Sequence, residues 1–93
     1  MPAKIEVEAV DASHFRVRVA EGGGESVHEV TLNPKDCARL AGGPAGAEQL
    51  VRKSFQFLLE REPKESILAR FDLSVIARYF PEYEREIKQR LAK

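Results

Sequence analysis

Residues 4–20 read KIEVEAVDASHFRVRVA, and the fold follows from how that stretch alternates. Ile5, Val7 and Ala9 point to one side of an extended chain, and Lys4, Glu6 and Glu8 point to the other. After Asp11-Ala12-Ser13 the rhythm returns, with Phe15, Val17 and Val19 set against His14, Arg16 and Arg18. A period of two means a strand with one buried face and one wet face. Folding the chain back through residues 11–13 sets Val7 opposite Val17 and Ala9 opposite Phe15 on the inner face. The same register sets Glu8 opposite Arg16 and Glu6 opposite Arg18 outside. A register chosen by apolar residues that also pairs opposite charges is self-consistent. Each exposed pair adds only about 0.2–1 kcal/mol.

Beyond this hairpin, Glu21-Gly22-Gly23-Gly24-Glu25 reads as a flexible turn. A third strand follows over 26–32, with Val30 and Leu32 inward, His28 on the same side near the sheet's end and Val27 outside, so the strand is either irregular or partly covered on both faces. Asn33-Pro34-Lys35-Asp36 then opens a helix: Asn33 caps it, Pro34 suits its first position and Asp36 its positive end. Gly42-Gly43 closes that helix and Pro44 prevents its resumption. Residues 45–61 carry a broad apolar face of Leu50, Val51, Ser54, Phe55, Leu58 and Leu59, flanked by Phe57. Gln49, Lys53, Gln56 and Glu60 lie opposite. Such a helix roofs the sheet and still meets the later helices. Pro63, Asp72 and Pro81 divide the remainder into helical stretches over 63–70, 72–80 and 81–92. In the last stretch Tyr83, Ile87 and Leu91 form a narrow stripe, supported by Glu84–Lys88 and Glu86–Arg90 at i, i+4. The expected fold class is therefore α+β. A three-stranded antiparallel sheet (4–10, 14–20, 26–32) precedes four or five helices (34–41, 45–61, 63–70, 72–80, 81–92) packed on one sheet face, in a single domain over 1–93.

A chain of 93 residues has single-domain length. Acids and bases balance at fifteen each, so no net charge draws the molecule to phosphate. Cys37 is the lone cysteine, which excludes an intramolecular disulfide. The opening Met-Pro-Ala-Lys leads straight into a strand pattern with no apolar leader and no membrane-length run, so a cytoplasmic protein with no membrane partner is expected.

Nothing in the sequence assembles a catalytic centre. Cys37 sits early in a short helix, but the histidines, His14 and His28, lie on strands, so the thiol reads as a small apolar side chain. The two histidines lack ligand spacing, so no metal is expected. The glycine run has no following helix with Lys-Ser/Thr, and it is a turn rather than a phosphate loop. The pair 63–71 and 72–80 has the outline of a helix-turn-helix. Its junction has no glycine and its second helix only Arg78 as a base, so core packing is the better reading. No enzyme activity and no cofactor are expected.

Three further stretches stand out: FLLEREPKESIL at 57–68, FDLSVI at 71–76 and YFPEYE at 79–84. Together they resemble a family of small uncharacterised bacterial proteins, over most of residues 30–87. The resemblance implies a bacterial cytosolic origin and transfers no catalytic residue. Physically, Glu60, Glu62 and Glu65 interleave with Arg61, Lys64 and Arg70 around a proline break, beside Phe57, Phe71 and Phe80. That pattern suits either a salt-bridged helix corner over an aromatic core or a surface for a protein partner. The functional expectation is a non-catalytic protein-interaction module binding a protein partner or a second copy of itself. Its candidate partner surface is Arg61, Lys64, Arg70, Tyr79, Tyr83, Ile87 and Leu91. For the C-terminal stripe, docking on the domain is the competing reading, and the open sheet edges offer a second contact by strand addition. The alternative is weak nucleic-acid binding or regulation through Arg70, Arg78, Arg85, Lys88 and Arg90.

Overall fold

The computed structural model describes residues 4–43 and 46–92; Pro44 and the expected helix start at residue 45 lie outside them. Strands β1 (Lys4–Ala9) and β2 (His14–Glu21) form the expected hairpin in the expected register, Val7 opposite Val17 and Glu8 opposite Arg16. The Asp11 carboxylate closes the loop by accepting from the Ser13 N–H at 2.9 Å and meeting His14 Nδ1 at 2.8 Å. Arg16 reaches Glu8 at 3.2 Å, whereas Arg18 pairs with Glu25 at 3.3 Å and not with Glu6. Strand β3 (Gly24–Thr31) starts earlier than expected because the glycine turn is tight rather than loose. Gly22 and Gly23 hold φ of 61° and 81°, the positive pair that a two-residue hairpin turn requires.

The sheet has four strands, not three, in the order β1-β2-β3-β4. The fourth, β4 (Arg70–Asp72), lies parallel to β3 with Val30 opposite Phe71. The helix expected over 63–70 is replaced by one 3-10 turn, Lys64–Ser66, and an extended run into β4. Ile67, Leu68 and Phe71 have helical spacing, but His28 on β3 overrides it. The His28 Nδ1–H donates to the Leu68 carbonyl at 2.8 Å, and the Glu29 N–H to the Ala69 carbonyl at 2.8 Å. Those bonds hold the backbone extended where propensity alone favours a turn of helix. Buried His28 also meets Ser26 Oγ at Nε2, 2.8 Å away, and its ring tilts against Phe55 at 5.4 Å.

The helices cover one face of the sheet. Helix α1 (Pro34–Ala41) is capped by Asn33, whose side chain accepts from the Lys35 N–H at 2.8 Å, and it ends on Gly42 at φ 80°. Helix α2 (Ala47–Leu59) lies beneath the strands and buries Leu50, Val51, Ser54, Phe55, Phe57 and Leu58. The stretch expected as a helix over 72–80 contracts to α3 (Val75–Tyr79). Asp72 ends β4 and turns the chain by accepting from the Ser74 N–H at 2.9 Å. Helix α4 (Tyr83–Leu91) packs back on α1 and α2. Val17, Val19, Val30, Leu32, Phe55, Leu73 and Ile87 belong to a single apolar cluster that joins sheet and helices. The outer face, with Glu6, Glu8, Arg16, Glu29 and Arg70, stays bare.

A buried hydrogen-bond chain joins α4 to α2. Ser54 Oγ donates to the Leu50 carbonyl at 2.6 Å, which fixes its proton, so the Tyr83 hydroxyl donates to Ser54 Oγ at 2.6 Å. Burial pushes the Tyr83 phenol up to about 12. The asymmetry of this chain is measurable. Tyr83→Phe removes one bond and costs about 1 kcal/mol, while Ser54→Ala strands the buried phenol and costs about 1–3 kcal/mol. Denaturant titration of both single variants and the double variant should find the double more stable than Ser54→Ala alone, because removing the phenol oxygen relieves the stranded group.

Candidate functional site

The motif 57–68 builds a corner around one aromatic ring. Phe57 is fully buried at the end of α2, and Tyr83 and Phe80 meet its ring edge-on at centroid distances of 5.3 and 5.7 Å. The Arg61 guanidinium lies 3.6 Å from the ring centroid, within cation–π range. Arg61 also reaches Glu86 at 2.9 Å and Glu82 at 3.5 Å. Arg90 meets both carboxylate oxygens of Glu60 at 2.6 and 2.8 Å, a two-pronged contact across from α4 to the end of α2. Arg39 of α1 reaches Glu84 of α4 at 2.7 Å. These ion pairs staple α4 to its neighbours over an aromatic floor.

Beside this corner lies an open apolar groove of about 420 Å³, between the end of α2, the 66–71 segment and α3. Leu58, Ile67, Phe71 and Ile76 form its buried floor, and Glu62 and Ser66 supply polar groups at its rim. Leu68 and Tyr79 line it while remaining 52% and 70% exposed, large apolar surface left in water. The volume falls within the roughly 300–1,000 Å³ typical of sites that receive a ligand or an anchoring side chain.

The candidate residues divide accordingly. Tyr83 and Ile87 are buried in the core and Leu91 packs partly buried against it, so the C-terminal stripe docks on the domain. Arg61 is spent on Phe57 and its carboxylates. Lys64 is buried, its ammonium pairs with Glu65, and it lies so close to Gly24 that a Cβ there would sit 3.3 Å from its Nζ. Arg70 and Tyr79 remain outward, Arg70 on the outer sheet face beside Glu29 at 3.3 Å. Leu68, Ile67 and Glu62 were missed as site residues. Glu62 belongs to the charged pattern around the proline break, and the signal of Ile67 and Leu68 is an apolar pair after it, which reads equally well as helix.

The remaining polar groups hold the fold. Buried Cys37 donates its thiol to the Gly43 carbonyl at 3.2 Å, and burial pushes that thiol up. Among the described residues no group of three or more His, Cys, Asp or Glu side chains converges to hold a metal ion. No described helix is long and apolar enough to cross a membrane. Comparisons with protein-family models, with curated proteins and with solved structures find no match to this chain.

Two outcomes follow from this chemistry. Cys37 should resist a thiol reagent such as dithionitrobenzoate in native buffer and react at once in denaturant. The hydrogen bonds from Arg90 and Arg39 hold Glu60 and Glu84 below the ordinary carboxylate value of 4.5. A depressed carboxylate contributes stability above its unfolded value and loses it as pH falls through its folded value. Melting temperature should therefore drop below about pH 4.5, and a Glu60→Gln/Glu84→Gln variant should show a shallower drop from a lower starting point.

Proposed function

We propose that this chain is a non-catalytic protein-interaction module whose docking surface is the groove between α2, the 66–71 segment and α3. One observation carries the reading: the groove keeps Leu68 and Tyr79 exposed beside an apolar floor, while much of the apolar side chain elsewhere is sealed in the core. Exposed apolar surface rimmed by polar groups is the usual mark of a contact site. Tyrosine suits such a site, because it offers a large rigid face and one polar tip. The occupant on this reading is protein, with self-association as one form.

The alternative, nucleic-acid binding through the C-terminal bases, gains no comparable support. Arg90 is held by Glu60 and Glu86, and the exposed bases Arg70, Arg78, Arg85 and Lys88 sit on a chain whose net charge is zero. A phosphate-facing stripe needs bases that are free of carboxylates.

The test is site-specific photo-crosslinking in the native host. Benzoylphenylalanine at Tyr79 should yield a discrete protein adduct, whether with another copy or another chain. The same probe at Val10, exposed far along the sequence from the groove, should yield none. An absent Tyr79 adduct, or indistinguishable products at both positions, would overturn the reading.

A further inference from the structure

The sheet ends in two free edges, β1 and β4, and they are not equivalent. On β1 the Val10 N–H turns back to the His14 carbonyl at 2.8 Å, so Ile5, Val7 and Ala9 direct their backbone groups outward. Arg52 of α2 already donates to the Ile5 carbonyl at 2.6 Å. A second β1 laid antiparallel about Val7 sets Glu6 against the partner's Glu8, and one laid about Ile5 needs the carbonyl that Arg52 holds. Like charges and an occupied carbonyl defend this edge.

The β4 edge carries no such defence. The Glu29 N–H donates to the Ala69 carbonyl at 2.8 Å and the Leu73 N–H to the Thr31 carbonyl at 2.9 Å. Residues 69, 71 and 73 therefore face β3, and Arg70 and Asp72 turn their N–H and C=O groups away from the sheet. Those groups have no hydrogen-bond partner among the described residues. The groove opens on the inner side of this edge, against Phe71.

We propose that the β4 edge takes a second copy of this chain, β4 against β4, antiparallel about a two-fold axis at Phe71, with Arg70 of each copy opposite the partner's Asp72. The proposal rests on the interaction-module reading and names its occupant. Charge complementarity selects the copy: Arg70 and Asp72 share the outer face, and a two-fold about the residue between them puts each beside its opposite. In that register the outward groups of Arg70 exchange both N–H···O=C bonds with the partner's Asp72, and symmetry doubles the set. Asp72 has capacity to accept. Its Oδ1 takes the Ser74 N–H and hydroxyl and its Oδ2 takes the Thr31 hydroxyl, leaving one of about four acceptor positions open. Burial raises the Asp72 carboxyl but those bonds outweigh it, so the group stays ionised. Arg70 is 81% exposed and held only at 3.3 Å by Glu29, so it is free to turn. On the inner side Phe71 meets its twin and the two grooves share one seam. The interface is isologous and closes at two copies.

The register makes the test specific. Directly opposite, hydrogen-bonded residues lie about 5.5 Å apart at Cα, which suits a disulfide. A full-length Arg70→Cys chain mixed with an Asp72→Cys chain should form a disulfide-linked dimer about tenfold faster than either variant alone. Sedimentation of the unmodified chain should show a monomer–dimer equilibrium, and Arg70→Glu should raise its Kd about tenfold by placing acid against acid twice. Should Asp72→Cys fail to fold, the Arg70→Glu sedimentation still decides, because that side chain is exposed. Self-linking of Arg70→Cys as fast as the mixture overturns the register. A monomer at every concentration whose Tyr79 probe captures a different protein overturns the pairing and leaves the module reading standing. A monomer with no Tyr79 adduct overturns both.

Discussion

A sheet with one polar face and one apolar face is stable only when something apolar lies across the second. In this chain that duty falls on α2. It is the longest helix, and it buries Leu50, Val51, Phe55, Phe57 and Leu58 around much of its circumference. A helix burying that much of itself cannot be satisfied by the strands alone. The side turned from β1 calls for α1 and α4, and the chain supplies them. The Tyr83–Ser54–Leu50 hydrogen-bond chain is the polar counterpart of this demand. It lets a phenol and a serine sit in an apolar interior without an unsatisfied group.

Charge in this protein is local rather than collective. Net charge is zero, yet Arg39, Arg61 and Arg90 each meet a carboxylate within 3 Å. Exposed pairs of this kind each contribute little. Arg61 is the exception in kind, because its guanidinium also covers the Phe57 ring and buries its stem there. Replacing it with lysine would keep the charge and lose the flat contact.

The parts of the fold that sequence made legible are those with a repeating period. Six consecutive residues of β1 and their partners fall in the register drawn from alternation. Asn33 and Gly42 mark both ends of α1 because caps have their own chemistry. Strand β4 stayed hidden because three residues carry no period, and its extended shape comes from His28 and Glu29, forty residues earlier, rather than from its own side chains. The site was half legible for a similar reason. Arg61, Lys64 and Tyr83 have the composition of a contact surface, and only tertiary placement reveals that a ring, a neighbouring glutamate and a serine already claim them. Arg70 and Leu68 stay outward because the 67–71 run is stretched rather than coiled, and Tyr79 stays outward at the end of α3.

The parallel pairing of β4 with β3 has a kinetic consequence. Antiparallel strands joined by a short turn can zip together locally, as β1, β2 and β3 do. Strand β4 must wait for the chain between Leu32 and Ala69, including α1 and α2, to settle before it can reach its neighbour. Closing a segment of that length is entropically costly and brings only a few bonds in return. The order of assembly is thus written into the connectivity: hairpins first, helices next, and last the short strip that finishes the sheet. That strip also carries Phe71 into the core beside Phe55, so completing the sheet and completing the packing beneath it are one event.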